Sequence, residues 1–279
     1  MSIQWYPGHM AKARREVKEN LKLVDFVIEL VDARAPASSQ NPMLQEEIQN
    51  KPKLVVMMKK DLADPEVTKE WLDYFQSQFS YAIAIDVNNK KDVQQIAQAA
   101  RQITQEKLDK QRAKGINPRN PRAMIVGIPN VGKSSLINRL AHKKKAETGD
   151  KPGVTKKQQW IKVKNEFELL DTPGILWPKF EDEAIGFRLA SIGTIKDQIL
   201  PQDEVAIYIL NLLKDHYPDL MEARFGFSDF EDVVEAFDKI GKRRGALEGG
   251  GVVNYEKVAE IIIHDLRNDR LGRISFERP

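Results

Sequence analysis

The octapeptide Gly127-Ile128-Pro129-Asn130-Val131-Gly132-Lys133-Ser134 restricts what this chain can fold into more than any other stretch. Two glycines enclose four residues and are followed at once by Lys-Ser. The apolar run Met124 to Val126 precedes this turn as a strand, and Ser134 to Leu140 opens a helix after it. A strand, a glycine turn and a helix in that order gather backbone N–H groups around an oxyanion. Gly127 and Gly132 permit the tight wrap. Lys133 is placed to reach the β- and γ-phosphates of a nucleotide, and the Ser134 hydroxyl to meet Mg²⁺. The helix N-terminus adds partial positive charge. Asn130, Val131 and Ser135 are expected to complete the nucleotide contacts.

Asp171-Thr172-Pro173-Gly174 follows the apolar Phe167 to Leu170. An Asp at a strand end, 37 residues after Ser134, fits a carboxylate that holds Mg²⁺ through water. The Gly174 N–H is then expected to meet a γ-phosphate. Thr155, in Pro152-Gly153-Val154-Thr155, is expected to join Ser134 and Asp171 around the metal, in a basic loop with Lys151, Lys156 and Lys157.

A second apolar run, Lys53 to Met58, ends in Lys59-Lys60-Asp61. Guanine presents N1–H and N2–H₂ donors that one carboxylate accepts together, and adenine presents neither. Asp61 therefore favours GTP over ATP, and Lys59 is expected to lie along the base. These residues precede the phosphate-binding turn, whereas GTPases ordinarily carry them after it.

The remaining pattern is α/β. Val24 to Val31 and Tyr81 to Ile85 read as further strands, and Trp160 to Val163 with Phe167 to Leu170 as a strand pair. Pro65 to Phe79 carries Val67, Trp71, Leu72 and Phe75 at helical spacing, and Val93 to Gln111 is a further helix. The first 22 residues, with Lys12, Arg14, Arg15 and Lys18, form a basic helix behind Trp5-Tyr6-Pro7-Gly8-His9. After Gly174 only helices are expected, over Ala184 to Ile192, Pro201 to Lys214, Asp229 to Ile240 and Asn254 to Leu266. The expected domains are 1–178, a mostly parallel sheet with helices on both faces, and 179–279, a small all-α domain. Gly249-Gly250-Gly251 lacks a helix-opening context and reads as a turn.

The net charge of +3 is unevenly placed. Residues 1–179 hold 31 Lys and Arg against 21 Asp and Glu, and residues 180–279 hold 13 against 20. A basic front half fits a polyanionic partner such as RNA, or simply a solvated basic surface. Candidate RNA contacts are Lys12, Arg14, Arg15, Lys143, Lys144, Lys145, Lys156, Lys157, Lys242, Arg243 and Arg244. No cysteine is present, which excludes disulfides and thiolate metal sites. No run approaches 18 apolar residues and the start lacks a signal-peptide stretch, so a cytoplasmic protein is expected.

The order base motif, phosphate loop, Thr155, Asp171 to Gly174 resembles the circularly permuted GTPases. Trp5-Tyr6-Pro7-Gly8-His9-Met10, Asp32-Ala33-Arg34-Ala35-Pro36 and Gly127 to Ser135 resemble, within them, the ribosome biogenesis GTPase A family. The similarity runs over essentially the whole chain. It implies a circularly permuted P-loop GTPase domain followed by a helical RNA-binding domain. It also implies GTP hydrolysis coupled to late assembly of the large (50S) ribosomal subunit, with rRNA and ribosomal proteins as partners; no DNA, no membrane and a monomer when free are the accompanying expectations. Asp86 and Val87, in Ile85-Asp86-Val87-Asn88, stand where that family has its second base-side loop. Met58 departs from the family's N-K-x-D, whose Asn braces the loop and contacts the base.

Ras-like enzymes use a Gln just after D-x-x-G to orient the attacking water. Here that residue is Ile175, so slow intrinsic turnover is expected, with stimulation by the ribosomal subunit. Asn130 resembles the P-loop Asn with which K⁺-dependent GTPases hold a monovalent ion, though an Asn also suits a turn. His9 is a second candidate, since imidazole can orient or deprotonate water. The catalytic set is therefore His9, Asn130 and Lys133. The competing reading is a nucleotide-sensing RNA-binding module with negligible turnover, made credible by Met58 and Ile175. A P-loop ATPase or kinase is disfavoured by Asp61.

Overall fold

A computed structural model of the chain describes residues 7–48, 50–79, 81–141, 160–172, 174–176, 180, 182–197 and 199–279. The side chains of residues 7–11, 13 and 79 lie outside that description. The chain divides into two compact units, residues 1–180 with 277–279, and residues 181–276.

The first unit is built on a six-stranded sheet. Its strands are β1 (Phe26–Asp32), β2 (Lys53–Met58), β3 (Ala82–Ile85), β4 (Arg122–Gly127), β5 (Trp160–Val163) and β6 (Phe167–Asp171). Their order across the sheet is β3-β2-β1-β4-β6-β5. All pairs are parallel except β5 with β6, the hairpin-like pair expected from sequence. Every residue of β1 and β2 is buried, which is why both strands read as mostly apolar runs rather than alternating ones, with Glu29 and Lys53 buried as an ion pair.

Helices α1 (Pro7–Leu21), α2 (Pro42–Ile48), α3 (Pro65–Phe79), α4 (Lys90–Ala113) and α5 (Lys133–Ala141) surround the sheet. On one face Val67, Trp71 and Phe75 of α3 pack with Val31, Val55, Met57, Ala82 and Ala84. Val17 and Leu21 of α1 and Leu44 and Ile48 of α2 pack with Val27, Met124 and Val126. The alternate set, Phe26, Ile28 and Leu30, is equally buried. α4 packs on β2 and β3, and α5 on β4 and β5. Asn89 caps α4 by accepting from the Lys91 N–H at 3.0 Å. The helix thus starts three residues before the expected Val93. α2 was not expected; its seven residues offer only Leu44 and Ile48 as an apolar stripe.

Residues 277–279 belong to this unit. The Glu277 carboxylate accepts from the Ser38 N–H (2.8 Å) and hydroxyl (2.6 Å), and Trp71 Nε1 donates to the Glu277 carbonyl at 2.9 Å.

The second unit holds α6 (Glu183–Ser191), α7 (Gln202–His216), α8 (Pro218–Phe225), α9 (Val233–Arg244) and α10 (Tyr255–Arg267), with no strand among its described residues. α10 packs against α6, α7 and α9 and buries Val258, Ala259, Ile262 and Ile263. Asp182, Asp232 and Asn254 cap α6, α9 and α10. α9 therefore starts after Asp232 and not at the expected Asp229. α8 was not expected; Pro218 opens it and left-handed Gly226 ends it. Asp265 is fully buried and takes both fork bonds of Arg224 at 2.7 and 2.8 Å.

Candidate functional site

The phosphate-binding turn leaves the end of β4 and enters α5, and its glycines have specific reasons to be there. A Cβ at Gly127 would lie 3.1 Å from both the Leu30 Cβ and carbonyl oxygen. Gly132 has φ +103°, a conformation closed to side chains. Asn130 has φ +61°, which Asn tolerates better than most residues. That is a reason for Asn130 independent of any ion. The Leu136 N–H donates to the Gly132 carbonyl at 3.0 Å, so the first turn of α5 is seated on the loop.

Lys133 Nζ pairs with Asp171 Oδ1 at 2.5 Å, with both side chains about nine-tenths buried. The pairing of β6 with β4 places Asp171 beside Ile125. The buried Thr172 hydroxyl donates to the Ile125 carbonyl at 2.6 Å and anchors the segment that follows. A Cβ at Gly174 would lie 3.1 Å from Pro129 Cα and N, so glycine is what lets this segment lie against the phosphate loop. The Ile175 N–H then donates to the Gly127 carbonyl at 3.1 Å.

Ile175 is buried among Val17, Leu21, Leu44, Ile48, Met124 and Val126. Asn41 Nδ2 donates to its carbonyl at 3.0 Å. The side chain that replaces a water-orienting Gln is therefore part of the core. Ile175→Gln is expected to destabilise the protein by about 2 kcal/mol or more, since an amide would enter an apolar cluster, and to leave GTP turnover unimproved. Urea unfolding and a turnover assay check both halves.

The residues expected to read a base converge on the same loop. Lys59, at φ +59°, donates from Nζ to the Asn130 carbonyl at 3.0 Å and pairs with Asp32 Oδ2 at 3.1 Å. Asp32 ends β1 and takes Arg34 Nε and Nη2 at 2.9 Å each, with both side chains buried. Burial pushes the Asp32 carboxyl up, but the Arg34 guanidinium and the Lys59 ammonium outweigh it and hold the group well below the usual carboxylate range. Met58 is fully buried, and its Cε would lie 3.1 Å from a Cβ at Gly132. Asp61 follows on an exposed turn.

Lys60 extends the convergence to the loop that carries Asp86 and Val87. Its N–H donates to the Ile85 carbonyl at 3.2 Å, and its Nζ pairs with Asp92 at 2.7 Å. Asp92 also accepts from the Asp86 N–H at 2.9 Å. Arg139 Nε, from α5, donates to the Val87 carbonyl at 3.1 Å. Thus Met58 ends β2, and Lys59, Lys60, Asp61, Asp86 and Val87 lie on two loops tied to each other and to the phosphate loop and its helix. Sequence reasoning missed Asp92, Arg139, Asn41 and the bracing role of Asp32 with Arg34.

Thr155 lies outside the described residues, as do Lys143, Lys144, Lys145, Lys156 and Lys157. His9 falls within α1, with its side chain outside the description. Ser134 is half-buried and Ser135 exposed. Of the basic candidates, Lys12, Arg15, Lys242 and Arg243 are exposed. Arg14 is engaged by Glu46 and Glu47 at 3.0 and 2.8 Å. Arg244 donates to the Arg224 carbonyl at 3.3 Å and faces Asp265 at 3.8 Å, so its charge is largely spent inside the second unit.

Among the described residues no group of three or more His, Cys, Asp or Glu side chains could hold a metal unaided. The Ser134 hydroxyl and the Asp171 carboxylate are hard oxygen donors, which fits Mg²⁺ shared with nucleotide phosphates.

A family described as 50S ribosome-binding GTPases matches residues 122–224. Ribosome biogenesis GTPase A from Priestia megaterium is 58% identical over 281 aligned residues, spanning 100% of this chain and 98% of that protein. Among solved structures, GNP-bound YlqF from T. maritima superposes with a TM-score of 0.67 at 26% identity, covering 96% of this chain and 98% of that one. The GDP-bound form of T. maritima YlqF gives the same TM-score and identity over 95% and 99%. These likenesses extend over both units, and the base-motif-first strand order agrees with them: the chain belongs to the ribosome biogenesis GTPase A family of circularly permuted P-loop GTPases.

Proposed function

We propose that this chain binds the precursor of the large (50S) ribosomal subunit and couples GTP hydrolysis to late subunit assembly, turning over slowly alone and faster on the particle. The observation that carries the reading is the bond from Lys59 Nζ to the Asn130 carbonyl, which brings a guanine-type motif against a phosphate loop. Lys133 would leave Asp171 for the β- and γ-phosphates, and Asp61 would accept from guanine N1–H and N2–H₂. Ser134, Thr155 and Asp171 would hold Mg²⁺, which supplies neutralisation of the charge that develops on the phosphate oxygens. Asn130 would hold K⁺ beside the same phosphates. His9, or a group from the particle, would orient the water, because Ile175 is committed to the core.

Of the candidate rRNA contacts, the described Lys12, Arg15, Lys242 and Arg243 are exposed, and binding through them would weaken with salt. No helix among the described residues is long and apolar enough to cross a membrane. A cytoplasmic protein that is monomeric when free, with a GTPase domain over 1–178 and a ribosome-binding domain over 179–279, is the matching proposal.

Burial of Ile175 also favours the second reading, a nucleotide-sensing RNA-binding module with negligible turnover. GTP and ATP turnover in K⁺ and in Na⁺, with and without 50S particles, separates the two. The expected result is GTP-selective turnover, faster in K⁺ and faster again with particles. Absence of GTP turnover in every condition would leave the binding module standing.

A further inference from the structure

We propose that Asp92 is a positioning residue for base recognition, tying the two base-side loops together where Met58 cannot. This rests on reading Lys59 to Asp61 and Asp86-Val87 as the loops that face the base. Recognition of guanine by a carboxylate demands that Asp61 be held to a fraction of an ångström. Asp61 sits on an exposed turn directly after Lys60, so what fixes Lys60 bears on its placement. An Asn at position 58 would offer an amide to bridge the loops. Met58 has no such group and spends its side chain against Gly132 of the phosphate loop.

Asp92 provides the bridge from the other direction. Its Oδ2 takes both Lys60 Nζ at 2.7 Å and the Asp86 N–H at 2.9 Å, so one oxygen links the residue before Asp61 to the first residue of the second loop. Gln95 Nε2 approaches the other oxygen at 3.4 Å. The carboxylate is 5% exposed and lies in the first turn of α4, where the helix favours negative charge. Charge-assisted bonds are the stronger kind. The arrangement lets α4, a rigid element, help set the spacing of the two loops, beside the bond from the Lys60 N–H to the Ile85 carbonyl.

The test compares GDP, IDP and ADP affinities for the full chain and for Asp92→Ala, Asp92→Asn and Met58→Asn, alone and combined. IDP keeps N1–H but lacks the 2-amino group. Asp92→Ala is expected to weaken GDP about 10-fold and to shrink the GDP-to-IDP ratio at least about threefold, with ADP unchanged. Asp92→Asn, which keeps the side-chain shape, should fall between. Met58→Asn should restore part of the ratio in the Asp92→Ala chain while changing the parent less. A uniform loss for all three nucleotides, or a GDP-to-IDP ratio unmoved in both Asp92 variants, overturns the proposal and leaves Asp92 a merely structural residue. If the parent chain itself does not prefer GDP over ADP and IDP, the assignment of Asp61 falls, and with it the premise.

Discussion

Lys133→Ala is expected to lower GTP turnover by about 10²- to 10³-fold, the loss typical of removing one preorganised donor from the developing charge of a transition state. Lys133 is the only cation that the described structure places at the start of α5 directly against Asp171. The same substitution leaves the Asp171 carboxylate about nine-tenths buried without its partner, so the nucleotide-free chain should also lose about 1–3 kcal/mol of stability. The two effects separate experimentally. Single-turnover hydrolysis at saturating GTP reads the first, and urea unfolding without nucleotide reads the second. Asp171→Asn should lower turnover as well, and should also raise the Mg²⁺ concentration needed for half-maximal rate. A Lys133→Ala chain that turns over within a few-fold of the parent would move phosphate stabilisation to another residue.

That prediction uses residues legible from the sequence, and the reason is local. Gly127 to Ser134 is one unbroken stretch whose glycines answer to its own backbone geometry and to β1 beside it. β2 and α3 are legible for related reasons. A strand buried on both faces writes an apolar run, and Val67, Trp71 and Phe75 write one helical stripe. α2 and α8 escape because seven and eight residues carry too few periodic positions to distinguish a helix from a loop. The start of α9 is misplaced because Asp229 and Asp232 are both chemically able to cap, and only the fold shows that Asp232 accepts from the Val234 N–H.

Site residues divide along the same line. Ile175 is visible in sequence as the absence of a glutamine, yet its actual role depends on α1, α2 and β4 meeting around it. Asp92 gives no signal, because a carboxylate near a helix start has an ordinary explanation in the helix itself. Its partners are the backbone of Asp86, six residues earlier, and Lys60, 32 residues earlier, which becomes its neighbour only when β3 lies beside β2. Asp32 and Arg34 stand out as a motif, but a motif does not say that the pair closes on itself and then on Lys59.

That closure carries the largest expected effect on stability. Arg34→Met should destabilise the protein by about 3–5 kcal/mol at pH 7, because it leaves Asp32 buried with only the partly exposed Lys59 to balance it. The parent does not gain that full amount from the pair. Arg34 Nη1 has no hydrogen-bond partner among the described residues, so part of the attraction offsets the burial of an unsatisfied donor. An Asp32→Leu, Arg34→Met chain should therefore be more stable than the sum of its single variants allows. It should still bind nucleotide more weakly, since Lys59 would lose the anchor that aims it at the Asn130 carbonyl. The pH dependence follows from the depressed Asp32 carboxyl. A group whose folded-state pKa lies below its unfolded value stabilises fully above the unfolded value, about pH 4, and loses that contribution as the pH falls below it. The gap between parent and Arg34→Met should accordingly be widest at neutral pH and should narrow below about pH 4, as read by urea unfolding at both ends of that range. A gap of constant size across it would mean that Arg34 stabilises by filling space, and that the charge on Asp32 is held by Lys59 alone.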